Sequence, residues 1–231
     1  MKGTILQPTF LPWLGYFEMI HSSDIFVVFD NVQFIKKSWQ QRNKIKTANE
    51  ITTLTVPIKK TSRSTYINNI KISYDHGNPL EKHWSTIEFA YKKSPYFKNY
   101  SDIFESIFKQ QHSTLLDLNM NLIQNICKIL KINTKIVFAS HFMDHFLKNN
   151  KTQNIIELCN SVGIDYLYDA KGASSFIELS KFEDNNIKIE FQEYKHPVYS
   201  QMWGNFVSHL STLDLIFNEG ENSLDVILNK K

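Results

Sequence analysis

Apolar residues follow two alternating patterns along this chain. Short continuous runs, such as IFVVF at 25–29, carry β-branched residues and no polar face, as strands buried on both sides require. Between them lie longer stretches with apolar residues at helical spacing. These patterns predict strands at 4–6, 25–29, 68–72, 135–139, 164–168 and 187–191. They predict helices at 13–21, 80–91, 100–111, 115–130 and 151–162, with a C-terminal helical segment near 207–217. Gly163 suits a left-handed cap on the fifth of these. Residues 41–45 and 51–58 flank the polar turn TANE and predict a hairpin.

Strands alternating with helices predict an α/β fold: a Rossmann-like, largely parallel sheet with flanking helices. The hairpin and the helices after it interrupt that alternation, so a subdomain inserted at about 41–130 is expected within one domain spanning 1–231. In such sheets ligands lie beyond the carboxyl ends of the strands. That rule selects the loops at 7–13, 30–37, 140–145 and 169–175.

Composition narrows the class. With 231 residues, 42% of them apolar, the chain can bury a substantial core, which excludes disorder. A net charge of +3 leaves room for a basic site but does not argue for a dedicated nucleic-acid binder. Cys127 and Cys159 sit far apart in apolar helical contexts and are expected as reduced core thiols. No run approaches the ~18 apolar residues of a membrane span. The start MKGTILQPTF is too proline-rich and too short in apolar residues for a signal peptide, so a cytoplasmic protein is expected, with no membrane partner.

Three segments carry candidate chemistry. In QPTFLPWLGYF, Gln7 leaves a buried strand with two donors and an acceptor, and prolines stiffen its loop. Trp13 and Tyr16, three apart at the helix start, share a face and can stack a sugar or base, or fill the core. In FDNVQFIKKSWQQRNKI, Asp30, Gln33, Lys36, Arg42 and Asn43 follow a central strand; the Arg42 fork matches a phosphate or carboxylate. In YKHPVYSQMWGNF, His196 stands among Tyr199, Gln201 and Trp203, where an imidazole can serve as a general base. Ser211 is expected as a helix N-cap. His141 and His145 are four apart, but the FMD between them lacks the glutamate of a zinc-protease motif, and no metal is assigned. Phosphate-cradling glycine loops, dinucleotide fingerprints and serine-nucleophile elbows are absent from the sequence.

These segments resemble the WbqC-like family. The matching runs are QPTFLPWLGYF, SSDIFVVFDNVQFIKKSWQQRNKI, KKSPYF, GIDYLYDAKGASSF, and HPVYSQMWGNF leading into LSTLDLIFNEG. The resemblance implies a role at bacterial O-antigen or other surface-polysaccharide loci, with glycyl or aminoacyl transfer to amino sugars. A more distant layout is similar to nucleotidyl transferases such as pantothenate synthetase, in which a His-x-Gly-His turn follows the first strand. Here LPWLGYF occupies that turn, with Trp13 and Tyr16 in the approximate places of the histidines that would stabilise phosphates.

The expectation is therefore a transferase forming an amide on a nucleotide-linked amino sugar from an already activated donor. His196 is the first candidate base and Asp30 the second. Gln7, Gln33 and Asn43 are candidates to orient the sugar or the oxyanion, and Arg42 and Lys36 to hold the diphosphate. Trp13, Tyr16 and Tyr199 are candidate stacking walls, with Gln201 beside them. No tightly bound cofactor is expected. The donor stays open between aminoacyl-tRNA, an acyl carrier, coenzyme A, and ATP with an amino acid; the charge permits tRNA without favouring it. Two alternatives stand beside this: a non-catalytic sugar-nucleotide-binding protein, and a divergent ATP-dependent ligase or nucleotidyl transferase.

Overall fold

Five strands build a wholly parallel sheet: β1 (Lys2–Leu6), β2 (Ile25–Val28), β5 (Lys135–Phe138), β6 (Tyr166–Asp169) and β7 (Lys188–Phe191), in the order β5-β2-β1-β6-β7. A separate antiparallel pair joins β3 (Arg42–Lys46) to β4 (Ile51–Thr55). The computed structural model describes residues 1–143 and 150–230. The fold is α/β, with helices α1 (Leu14–His21), α2 (Pro79–Tyr91), α3 (Phe97–Lys109), α4 (Leu115–Ile129), α5 (Lys151–Val162), α6 (Leu179–Asp184), α7 (Thr212–Glu219) and α8 (Ser223–Ile227).

The described residues divide into two compact units. The first holds Met1–Gln7, Glu18–Val32 and Asn133–Lys195, and so contains the parallel sheet. Its core is mainly aliphatic: Ile5, Ile25, Val27, Ile156, Leu158 and Leu167 pack together with Cys159 and Phe182. Gly3 on the central strand β1 shows how closely this core is filled. A Cβ there would stand 2.4 Å from the Ile164 side chain. From β1 the chain winds through β2 to β5 on one side, then returns to β6 and β7 on the other. The winding therefore reverses between β1 and β6, the switch point where open α/β sheets place ligands. Gln7 follows β1 there, and Asp169 ends β6.

The second unit holds Pro8–Phe17, Gln33–Ile132 and His196–Lys231. Its core is aromatic. Phe217 meets Tyr91, Phe97 and Phe104, with ring centroids 5.1 to 5.7 Å apart. Trp84 stacks on Phe97 and Phe108. Local sequence sets the helix starts. The Asn78 side chain accepts from the Leu80 N–H ahead of α2, with Pro79 at its first position. Thr114 and Asp117 form a reciprocal capping box on α4. Gly163 ends α5 at φ +83°, the left-handed cap its position predicts.

Some elements differ from expectation. The strand expected at 68–72 is a 3-10 turn, Ile67–Asn69, followed by isolated bridges at Lys71 and Ile72. Two consecutive asparagines favour the turn over a ladder. Strand β4 stops at Thr55, two residues before Pro57, which has no N–H to donate. The loop expected at 169–175 contains a 3-10 turn, Lys171–Ser175. Helices α6 and α8, six and five residues long, are too short to show periodicity. Cys127 and Cys159 are free and buried; burial pushes both thiols up to about 12 and leaves them unreactive at neutral pH. Among the described residues no helix is long and apolar enough to cross a membrane.

Candidate functional site

The second unit contains an aromatic cavity of about 310 Å³, lined by Thr9, Pro12, Trp13, Tyr16, Trp39, Asn43 and His209. Its floor comes from PTFLPWLGY. Leu11 takes a left-handed backbone, φ +48°, and the Asn43 amide clamps that turn by donating to the Leu11 carbonyl at 2.5 Å. Gly15 is required here: a Cβ would stand 2.4 Å from the Trp13 indole, which lies over it. Tyr16 is 6% exposed, and burial drives its phenol well above the ordinary value, so it is a neutral core aromatic that also lines the cavity. Trp39, 54% exposed, forms the outer wall.

The opposite wall comes from the segment before α7. Trp13 and Ser211 form an antiparallel bridge. Thr212 donates to the Pro12 carbonyl through both its N–H (2.9 Å) and its hydroxyl (2.8 Å). These bonds set the His209 ring 5.1 Å from the Trp13 indole, their planes 22° apart. His196 stacks more distantly on Trp13 at 6.3 Å and lies 4.9 Å from His209. Its Nδ1–H donates to the Pro197 carbonyl at 2.8 Å, and its Nε2 accepts the His209 backbone N–H at 3.1 Å. That pairing selects the neutral Nδ1–H tautomer. Burial pulls the ring below the ordinary histidine value, and nearby His209 pulls the same way. His209 itself has φ +58°, a backbone conformation costing a side-chain-bearing residue on the order of 1–3 kcal/mol. The His209 ring is therefore held in place by bonds that offset local strain.

The remaining expected residues fall in other places. Tyr199 and Gln201 join a buried network under the cavity-bearing loop. Asp214, fully buried, accepts from the Tyr91 hydroxyl at 2.9 Å and the Tyr199 hydroxyl at 2.8 Å. Lys46 donates to Gln201 Oε1 and to the Asn205 carbonyl, and the Tyr91 oxygen accepts the Lys46 backbone N–H. Burial raises the Asp214 carboxyl and lowers the Lys46 amine; each is partly countered by the other's charge. Gln33 and Lys36 line a second cavity of about 410 Å³ with Arg63, and the Gln33 amide donates to the Arg63 carbonyl. Arg42 opens β3, directly before Asn43.

Asp30 and Gln7 belong to the parallel-sheet unit. The Asp30 carboxylate is 2% exposed and accepts from both the N–H and the hydroxyl of Ser140, tying the exit of β2 to that of β5. Asp169, at the switch point, is 6% exposed; burial pushes its carboxyl up to about 6, against the Ala170 N–H that favours the charged form. His141 ends the 3-10 turn Ala139–His141, whereas His145 lies outside the described residues. Among the described residues no group of three or more His, Cys, Asp or Glu side chains is placed to hold a metal ion.

Trp13, Tyr16, Asn43 and His196 thus come together, and the structure adds Trp39 and His209, which the sequence expectation lacked. A family model described as the WbqC-like protein family matches residues 7–226, a span holding every residue of this cavity. The chain belongs to the WbqC-like family. A full-length relative in Mycobacterium tuberculosis, named "Uncharacterized protein Rv1507c", is 31% identical over 229 residues, covering 98% of this chain and 97% of its own. No solved structure matches the chain.

Proposed function

We propose that this protein transfers an acyl or aminoacyl group to the amine of a nucleotide-linked amino sugar during bacterial surface-polysaccharide biosynthesis. Membership of the WbqC-like family supports the polysaccharide setting. The observation that carries the chemical reading is the cavity walled by Trp13, Tyr16 and Trp39 with an imidazole on its rim. Its volume lies near the lower end of ~300–1,000 Å³ for small-molecule sites, a size suited to one sugar ring. Aromatic faces receive the apolar face of a sugar, and an imidazole takes the proton an attacking amine must lose. Arg42 is not among the residues lining this cavity and Lys36 lines the second one, so neither cation is assigned to the diphosphate.

The donor arrives already activated. The turn after β1 carries Trp13 and Tyr16 in place of phosphate-stabilising histidines, and the cavity is mainly apolar. Thermal unfolding with UDP-glucosamine, coenzyme A and ATP tests this reading. At a hundredfold excess over Kd a specific ligand stabilises by about 2.7 kcal/mol, which raises the Tm of a chain this size by about 5–10 °C. A rise with UDP-glucosamine is expected. A rise with ATP and none with UDP-glucosamine would overturn the proposal in favour of a ligase.

A further inference from the structure

We propose that His209, not His196, is the group that takes the proton from the attacking sugar amine, and that His196 is a positioning residue that holds it. This rests on the transferase reading above. Both ring nitrogens of His196 are spent, Nδ1–H on the Pro197 carbonyl and Nε2 on the His209 backbone N–H. Taking a proton at Nε2 would break the bond that anchors His209. The His209 ring instead lines the cavity and stacks on Trp13. Its Nδ1 lies 2.8 Å from Ser208 Oγ, and among the described residues nothing hydrogen-bonds its Nε2. With Nδ1–H donating to Ser208, Nε2 carries the lone pair on the side of the ring left for a ligand.

The step balances as follows. The amine nitrogen attacks the carbonyl carbon of an acyl ester or thioester, forming the C–N bond while the π pair moves to oxygen. The amine proton passes to His209 Nε2. When the carbonyl re-forms, the C–O or C–S bond breaks and its electron pair leaves with the heteroatom, which receives the proton back from the His209 imidazolium. His196 touches no reacting atom. It fixes the backbone from which His209 projects, at a positive φ that is uncommon for residues other than glycine.

The test is a pH titration of the histidine rings by NMR in the full-length protein, free and saturated with UDP-glucosamine or UDP-glucose. The His209→Gln variant assigns the signal, and calorimetry measures affinity. UDP-glucosamine is expected to bind and to lower the His209 midpoint by about one pH unit, because an amine beside Nε2 favours the neutral ring. UDP-glucose, with a hydroxyl in place of the amine, is expected to leave the midpoint where it was. His196→Asn is expected to reduce that response while UDP-glucosamine affinity stays within about threefold, as loss of a positioning residue predicts. If UDP-glucosamine binds and the His209 midpoint stays fixed, or UDP-glucose moves it equally, the assignment of His209 fails and the transferase reading stands. If neither sugar nucleotide binds, the transferase reading fails and this inference fails with it.

Discussion

Replacing Gly15 with alanine isolates the packing that places Trp13. The added Cβ would stand 2.4, 2.5 and 2.9 Å from three indole carbons, where an ordinary contact needs at least 3.4 Å, so the ring must retreat by about 1 Å. It cannot do so without disturbing its stack on His209 at 5.1 Å and the bridge to Ser211. Overpacking of this kind costs about 1–3 kcal/mol. Alanine's better helix propensity returns up to about 1 kcal/mol, and less here because Gly15 is only the second residue of α1. The net expectation is a loss of about 1 kcal/mol, a fall in Tm of about 2–4 °C. In a Trp13→Ala background the obstructing ring is gone, and the same substitution should be neutral or stabilising by up to about 1 kcal/mol. Urea unfolding of the four proteins of this cycle reads both numbers. Equal costs in the two backgrounds would show that Trp13 does not cover Gly15, and the description of the cavity floor would be wrong.

Asp169→Asn should flatten the pH dependence of stability: the folded carboxyl holds its proton up to about pH 6, against 3.8 ordinarily, so stability is full below pH 3.8 and lost as pH rises through 6. The loss amounts to about 3 kcal/mol, which the variant should recover at pH 8 in urea titrations; a wild-type curve that rises over that window would contradict the burial argument. Tyr91→Phe removes the hydroxyl that both donates to Asp214 and accepts from Lys46, and should cost about 2 kcal/mol by chemical denaturation. Thr4, fully buried on β1, has a hydroxyl with no hydrogen-bond partner among the described residues, so Thr4→Val should be stabilising by about 1 kcal/mol, and a destabilised variant would reveal a missing partner.

The parallel sheet was legible because its strands announce themselves. IFVVF has no polar face, and only a strand covered on both sides tolerates that. Gly163 and Ser211 marked a helix end and a helix start through capping chemistry that is local in sequence. Trp13, Tyr16 and Asn43, which line the cavity, each stand in a segment dense in polar and aromatic residues. His209 was not legible, since its placement depends on bonds to Pro12 and His196 that only the fold creates. A lone histidine two residues before an N-cap carries no local signal of that geometry. Tyr199 and Gln201 are residue types suited both to a ligand and to a buried network, and only the fold reveals their bonds to Asp214 and to the Val207 carbonyl.

Calorimetric titration of UDP-glucosamine into the wild-type protein and the Trp13→Ala variant tests the central claim most directly. If the Trp13 cavity holds the sugar nucleotide, the wild type binds and removing the indole weakens binding at least about fivefold, the low end of what one aromatic stacking partner contributes. Equal affinity in the two proteins would place the ligand elsewhere and contradict the account.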